Sequence, residues 1–233
     1  MSHFSVLVLT NVEPTEEILE LILGEYDEQK RVKPYLYKTK KQIMEEKMAY
    51  IESLARADES LLSLEEQEIF NTKDMGKAYQ LSVKDYINSG YIVNKKGDIC
   101  STYNQNAKYD YYLINQLPFN KEKTKTCLVK DICFEPNKSQ QDKIISKCKQ
   151  DWESIQTLPL LYNNNFTDYV NSFLFFYTWA IVLPDGTWIE PGQVGWFGTS
   201  SASIEDEVKW CKNYQEFLKD YQNCYATLLD CHI

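Results

Sequence analysis

Histidine is scarce: only two imidazoles, His3 and His232, occur in 233 residues, one near each end of the chain. Seven cysteines are present, but they are scattered, odd in number and never spaced C-x-x-C, which argues against both a disulfide framework and a zinc knuckle. The sequence contains no G-x-x-x-x-G-K-[ST] phosphate loop, no strand-linked G-x-G-x-x-G, no G-x-S-x-G serine elbow and no H-E-x-x-H zinc helix. Long apolar runs are missing too. The opening MSHFSVLVLTN lacks a basic flank and is too short for a signal or membrane helix. These absences lead to the expectation of a reduced, cytoplasmic protein with no membrane partner.

What is present suits a folded chain. Hydrophobic residues make up 43% and aromatics 14%, enough for a real core and too much for wholesale disorder. The 34 acidic residues outnumber 25 basic ones, giving a net charge of −9. Nucleic-acid backbones attract Lys/Arg surfaces, so the overall balance predicts no direct nucleic-acid binding. It favours solubility, or docking on a basic protein partner through acidic stretches. Glu16, Glu17 and Glu20 form one such stretch, and Glu65, Glu66 and Glu68 another.

The chain's organisation is read around Phe175–Gly198, FFYTWAIVLPDGTWIEPGQVGWFG. An apolar, β-branched run to Leu183, a Pro184-Asp185-Gly186 turn and a short return strand at Thr187–Glu190 predict a hairpin at the centre of a sheet. Trp188 and Trp196 are expected to be largely buried there. FSVLVLT at 4–10 and the closing Tyr225–Ile233 read as strands. Helices are expected at 16–23, from 40 to about 57, at 139–155 and after Ser203. Capping boxes are read at Ser63–Glu66, Ser82–Asp85 and Ser203–Asp206. A hairpin around Asn94–Gly97 and a strand at 109–114 complete the pattern. The whole, 1–233, reads as a single α+β domain with a central, mostly antiparallel sheet, in which 40–90 is a helical insertion. A ferredoxin-like core is one topology that fits.

In that topology the first and last strands are antiparallel neighbours, so His3 and His232 can face each other. Asp230 shares His232's face by strand alternation. Two imidazoles and a carboxylate are the residue types for acid–base work or for holding a divalent ion. The pairing rests on the inferred topology alone, and neither a metal nor a cofactor is expected. His3-Phe4-Ser5 also matches half of the H-x-[ST] pair of the 2H phosphoesterases. The second half is missing because only Ile233 follows His232, so that mechanism is excluded. Tyr103, Tyr109, Tyr111 and Tyr112 could stack bases, but alternating aromatics in strands more often form core or cross-strand pairs.

Several stretches together carry a resemblance: MSHFSVLVLT, GEYDEQKRVKPY at 24–35, STYNQNAKYDYYLI at 101–114, AIVLPDGTWIEPGQVGWFG at 180–198 and the closing LLDCHI. They are similar to a family of uncharacterised phage and prophage proteins that open M-S-H-F-T-V-L-V, carry N-P-x-x-K-W-D-W-Y-x-I-G-G-R-W and close V-D-C-H-I. Here Tyr109 and Tyr111 replace the tryptophans around the aspartate, and Asn115-Gln116-Leu117-Pro118 replaces Gly-Gly-Arg-Trp. The resemblance implies a phage or mobile-element accessory protein of a bacterial host. With the acidic balance and the absent motifs, the leading expectation is a binding protein that inhibits a basic, nucleic-acid-binding defence nuclease, as an anti-CRISPR protein does. The alternatives are a metal-assisted or acid–base hydrolase of nucleotides or phosphodiesters built on His3, Asp230 and His232, and a module that sequesters a nucleotide.

Overall fold

The computed structural model describes residues 2–120, 123–195 and 199–233. The chain is α+β and divides into two compact units, Arg31–Asn104 and the combination of Met1–Lys30 with Gln105–Ile233. The first unit in the chain opens with β1 (His3–Thr10) and α1 (Glu16–Leu23). The intervening unit then holds β2 (Tyr35–Lys38), α2 (Lys40–Ala57), α3 (Leu64–Thr72), α4 (Met75–Asn88), β3 (Ile92–Val93) and β4 (Ile99–Ser101). The chain returns with β5 (Tyr111–Ile114), β6 (Thr126–Leu128), α5 (Lys138–Ser154), α6 (Leu158–Leu161) and α7 (Phe166–Leu174). It finishes with β7 (Ala180–Val182), β8 (Trp188–Ile189), α8 (Ile204–Leu218) and β9 (Tyr225–His232). No described helix is long and apolar enough to cross a membrane.

The main sheet runs β5-β9-β1-β7-β8, with β6 also pairing to β9. Its centre is the pair of terminal strands. β1 and β9 are antiparallel and in register from His3↔His232 to Thr10↔Tyr225. This corrects the expectation of a central hairpin: β7 lies beside β1 and β8 forms the edge. The reason is local. Within Phe175–Leu183 only Ala180–Val182 is strand, because side chains take the flanking main-chain partners. Thr178 Oγ1 donates to the Ala180 carbonyl, and the Trp179 N–H donates to Ser5 Oγ. Trp188 is only partly buried, and Trp196 and Gly198 lie outside the described residues. The ferredoxin-like order also gives way. That fold inserts an antiparallel strand between its parallel pair, whereas β7 is parallel to β1 and directly next to it.

Both faces of β1 are covered, which explains its unbroken apolar run: Val6 to Leu9 are fully buried. Val6 and Val8, with Leu229 and Cys231 of β9, pack under Leu19 and Leu23 of α1. Leu7 and Leu9, with Ala226 and Leu228, pack under Tyr214 and Leu218 of α8. The α8 N-terminus carries the expected capping box, Ser203 with Asp206.

The Arg31–Asn104 unit has its own core, built from Met48 and Ile51 of α2, Ile69 of α3, Ala78 of α4 and Leu62. The Ser63–Glu66 box caps α3 as expected. Ser82-Val-Lys-Asp85 does not start a helix. Asp74 has already capped α4, and Ser82 is buried in its interior. The β3–β4 hairpin turns at Gly97, whose φ of +82° needs glycine, while Asn94 Oδ1 accepts the Lys96 and Asp98 N–H groups. These strands form a second sheet ordered β2-β4-β3.

Candidate functional site

The period of two along a strand decides what gathers at the end of the main sheet. His3 and Ser5 of β1 point to the face of Leu7, and Asp230 and His232 of β9 to the face of Leu228. Tyr111 stands opposite His232 from β5. Three neighbouring strands thus bring His3, Asp230, His232 and Tyr111 to one place, with Asp110 immediately before β5. The register sets the two imidazoles side by side, ring centroids 5.1 Å apart.

Each imidazole is held through the same nitrogen. His3 Nδ1 lies 3.2 Å from Asp230 Oδ1, and His232 Nδ1 lies 2.7 Å from Asp110 Oδ1. A carboxylate can only accept, so Nδ1 carries the proton in both pairs and Nε2 of the neutral ring presents its lone pair. The Asp110 main chain is pinned as well, its N–H donating to the His232 carbonyl at 3.1 Å. Tyr111 stacks on His232 at 4.6 Å, nearly parallel, and meets His3 edge-on at 6.3 Å.

The two rings differ in access. His3 is about half exposed, at 47%, whereas the His232 side chain is 7% exposed. His232 Nε2 is buried and has no hydrogen-bond partner. Leaving such a group unsatisfied costs about 1–3 kcal/mol, so its retention calls for an explanation. His3 also lines an open groove of about 520 Å³ with Ser5, Phe173, Phe176, Tyr177 and Trp179. Trp179 Nε1, a donor, is a second buried nitrogen without a partner.

Cys231, between Asp230 and His232 of β9, faces the opposite side. Burial, with Asp230 nearby, pushes its thiol up, so it stays protonated and is no nucleophile. All seven cysteines are free. Among the described residues, no group of three His, Cys, Asp or Glu side chains is placed to hold a metal ion.

The sequence singled out His3, Asp230 and His232, and the fold brings all three together. It did not single out Asp110, although its signal was present: Asp110 is the aspartate of the Tyr-Asp-Tyr-Tyr stretch that carries the phage-family resemblance. The four tyrosines considered as a base-stacking cluster separate. Tyr109 is buried in the core, Tyr112 packs beside it, Tyr111 joins the histidines, and Tyr103 belongs to the other unit.

The acidic stretches fare differently. Glu16, Glu17 and Glu20 are exposed on α1 and enter no ion pair among the described residues. Glu65 is exposed, but Glu68 is paired with Lys77. Glu66 is committed to the fold: it closes the α3 capping box and meets Lys47 Nζ at 2.7 Å, both side chains being largely buried. Burial opposes its charge, yet Lys47 and the Ser63 cap outweigh that and hold the carboxyl below its ordinary range. Its stabilisation is therefore present above the unfolded value and lost as pH falls through the folded one. Glu66→Gln should cost about 1–2 kcal/mol at neutral pH. Melting curves of the two proteins should converge in acid. Curves equally far apart in acid and at neutrality would remove the ion pair from this account.

No family model, no curated protein and no solved structure matches this chain.

Proposed function

We propose that the paired-histidine centre is an acid–base site and that the chain hydrolyses a phosphodiester or nucleotide. The observation that carries this reading is the unpartnered, buried Nε2 of His232 beside His3, with each ring oriented through Nδ1 by its own carboxylate. Imidazole is the side chain whose ordinary titration lies nearest neutrality, so a pair can hold one base and one acid at once. In such a hydrolysis one Nε2 takes a proton from water as the water oxygen bonds to phosphorus. The other ring gives its proton to the departing alkoxide oxygen as that P–O bond breaks. Asp110 and Asp230 fix the tautomers and favour the transient imidazolium. The aromatic walls of the groove beside His3 suit a nucleobase, which would stack on Phe or Trp.

The test is turnover by the purified protein of bis(p-nitrophenyl) phosphate, cyclic mononucleotides and short oligonucleotides. Hydrolysis is expected and should be lost in His3→Gln, whose half-exposed side chain contributes little packing. No turnover of any of these compounds, or turnover that His3→Gln retains, would overturn the reading.

One observation favours the second reading, a phage or mobile-element accessory protein that inhibits a basic defence nuclease by binding it. The unpaired Glu16, Glu17 and Glu20 on α1 are placed to steer association with a basic channel. Under that reading, Glu16→Lys/Glu20→Lys slows association with the captured partner, and rising salt does the same. The partner would be found by pull-down from host lysate.

A further inference from the structure

The chain's net charge hides an uneven division. Residues 31–104 hold twelve of the 25 basic residues but only eleven of the 34 acidic ones, so the whole net negative charge belongs to the other unit. Within 31–104 the basic residues concentrate on the segments that form the small sheet. Segments 31–38 and 91–104 carry five basic residues and one acid, Asp98. That carboxylate is occupied, accepting the Lys40 N–H at 2.9 Å and the Asn94 amide at 3.2 Å. Lys33, Lys95 and Lys96 are exposed and enter no ion pair among the described residues.

Aromatic rings gather beside these charges. Tyr37, Tyr86, Tyr91 and Tyr103 form a continuous cluster with successive centroids 4.9 to 6.2 Å apart. The exposed Arg31 lies over Tyr103 at 4.2 Å, and Lys38 lies over Tyr37 at 5.6 Å. Tyr37 remains 44% exposed, and the neighbouring strand residues Leu36 and Ile92 are exposed as well. Register brings Leu36 and Ile92 to the two sides of Cys100, so they share one open face of the sheet. An ordinary solvated sheet face has no need of apolar side chains there.

We propose that the β2-β4-β3 sheet is a binding surface for single-stranded nucleic acid. Exposed lysines and Arg31 answer the phosphates, and the tyrosine cluster, with Tyr37 as its exposed ring, offers stacking surface to unpaired bases. A duplex keeps its bases stacked inside and cannot use that surface, which is why the single strand is the expected ligand. The proposal is independent of the histidine site.

The test is fluorescence anisotropy on the full chain with labelled poly-U RNA, poly-dT and a mixed-sequence duplex, across a salt series. Both single strands should bind more tightly than the duplex. Lys33→Glu/Lys95→Glu/Lys96→Glu should weaken single-strand binding at least tenfold and lower the salt slope by about 2, since each single-strand phosphate contact contributes about 0.7. Tyr37→Leu, which keeps an apolar side chain, should weaken binding about fivefold or more without changing the slope. Lys95→Gln/Lys96→Gln provides a milder variant if the triple substitution disturbs folding, and should also reduce both affinity and slope. The lysine and Tyr37 variants should hydrolyse bis(p-nitrophenyl) phosphate as the parent does, so loss of this surface and loss of hydrolysis are separable. Absence of single-strand binding, equal affinity for the duplex, or full affinity in the lysine or Tyr37 variants would overturn the proposal.

Discussion

His232→Gln should lower kcat/KM on a responsive phosphodiester by about 10²- to 10⁴-fold, the range over which a positioned acid or base acts. The ring is largely buried against Tyr111 and His3, so the variant also needs a melting curve. Gln keeps a donor for Asp110 and much of the volume, and the fold should survive. Asp110→Asn tests the other half of the pair. An amide can turn either its oxygen or its NH₂ towards Nδ1, so the tautomer is no longer enforced. Asp110 is a positioning residue here. Its loss should reduce kcat by about 10- to 100-fold with little change in KM. A purely structural Asp110 would instead leave the kinetic constants unchanged while lowering the melting temperature. A His232→Gln protein with full activity and an unchanged melt would remove the buried imidazole from the mechanism.

Local chemistry made much of this chain legible. The apolar run at Val6–Leu9, the Ser63 and Ser203 boxes and the Asn94–Gly97 turn each specify their own geometry within a few residues. The meeting of His3 and His232 was also inferable, because strands at the two ends of a chain in one sheet have few ways to pair. Tertiary competition was not legible. FFYTWAIVL reads as nine strand residues, but Thr178 and Ser5 supply side-chain partners that end the ladder early. Ser82-Val-Lys-Asp85 has the letters of a cap, but α4 was already running from Asp74. Asp110 was hidden because a carboxylate one residue before a strand gains meaning only when β5 docks beside β9. Charge was also unevenly legible, since one sum over the whole chain conceals the contrast between its two units.

Tyr214→Ala should destabilise the main unit by about 3–5 kcal/mol, the range for deleting a buried aromatic side chain. The structure puts Tyr214 at the centre of the α8 face that meets the sheet. It is 1% exposed, while Ile204, Val208 and Cys211 are only partly buried. The ring is surrounded by Phe176, Tyr177 and Trp210. Its hydroxyl is the sharper test. Thr178 Oγ1 spends its proton on the Ala180 carbonyl, so Tyr214 must be the donor across the 2.7 Å contact between the two hydroxyls. Burial raises the phenol above its ordinary value, so the donor stays protonated. Tyr214→Phe should therefore cost only about 1 kcal/mol, because Thr178 keeps its own carbonyl partner. Thr178→Val should cost more, about 2–3 kcal/mol, since it strands the phenol in the core and frees the segment that ends β7. The double variant should be more stable than the two single losses add up to, because removing both hydroxyls leaves no orphan. Chemical denaturation of the four proteins checks this. Strict additivity would mean that the hydroxyl pair does not couple α8 to β7, and that the ring's packing alone holds the helix on the sheet.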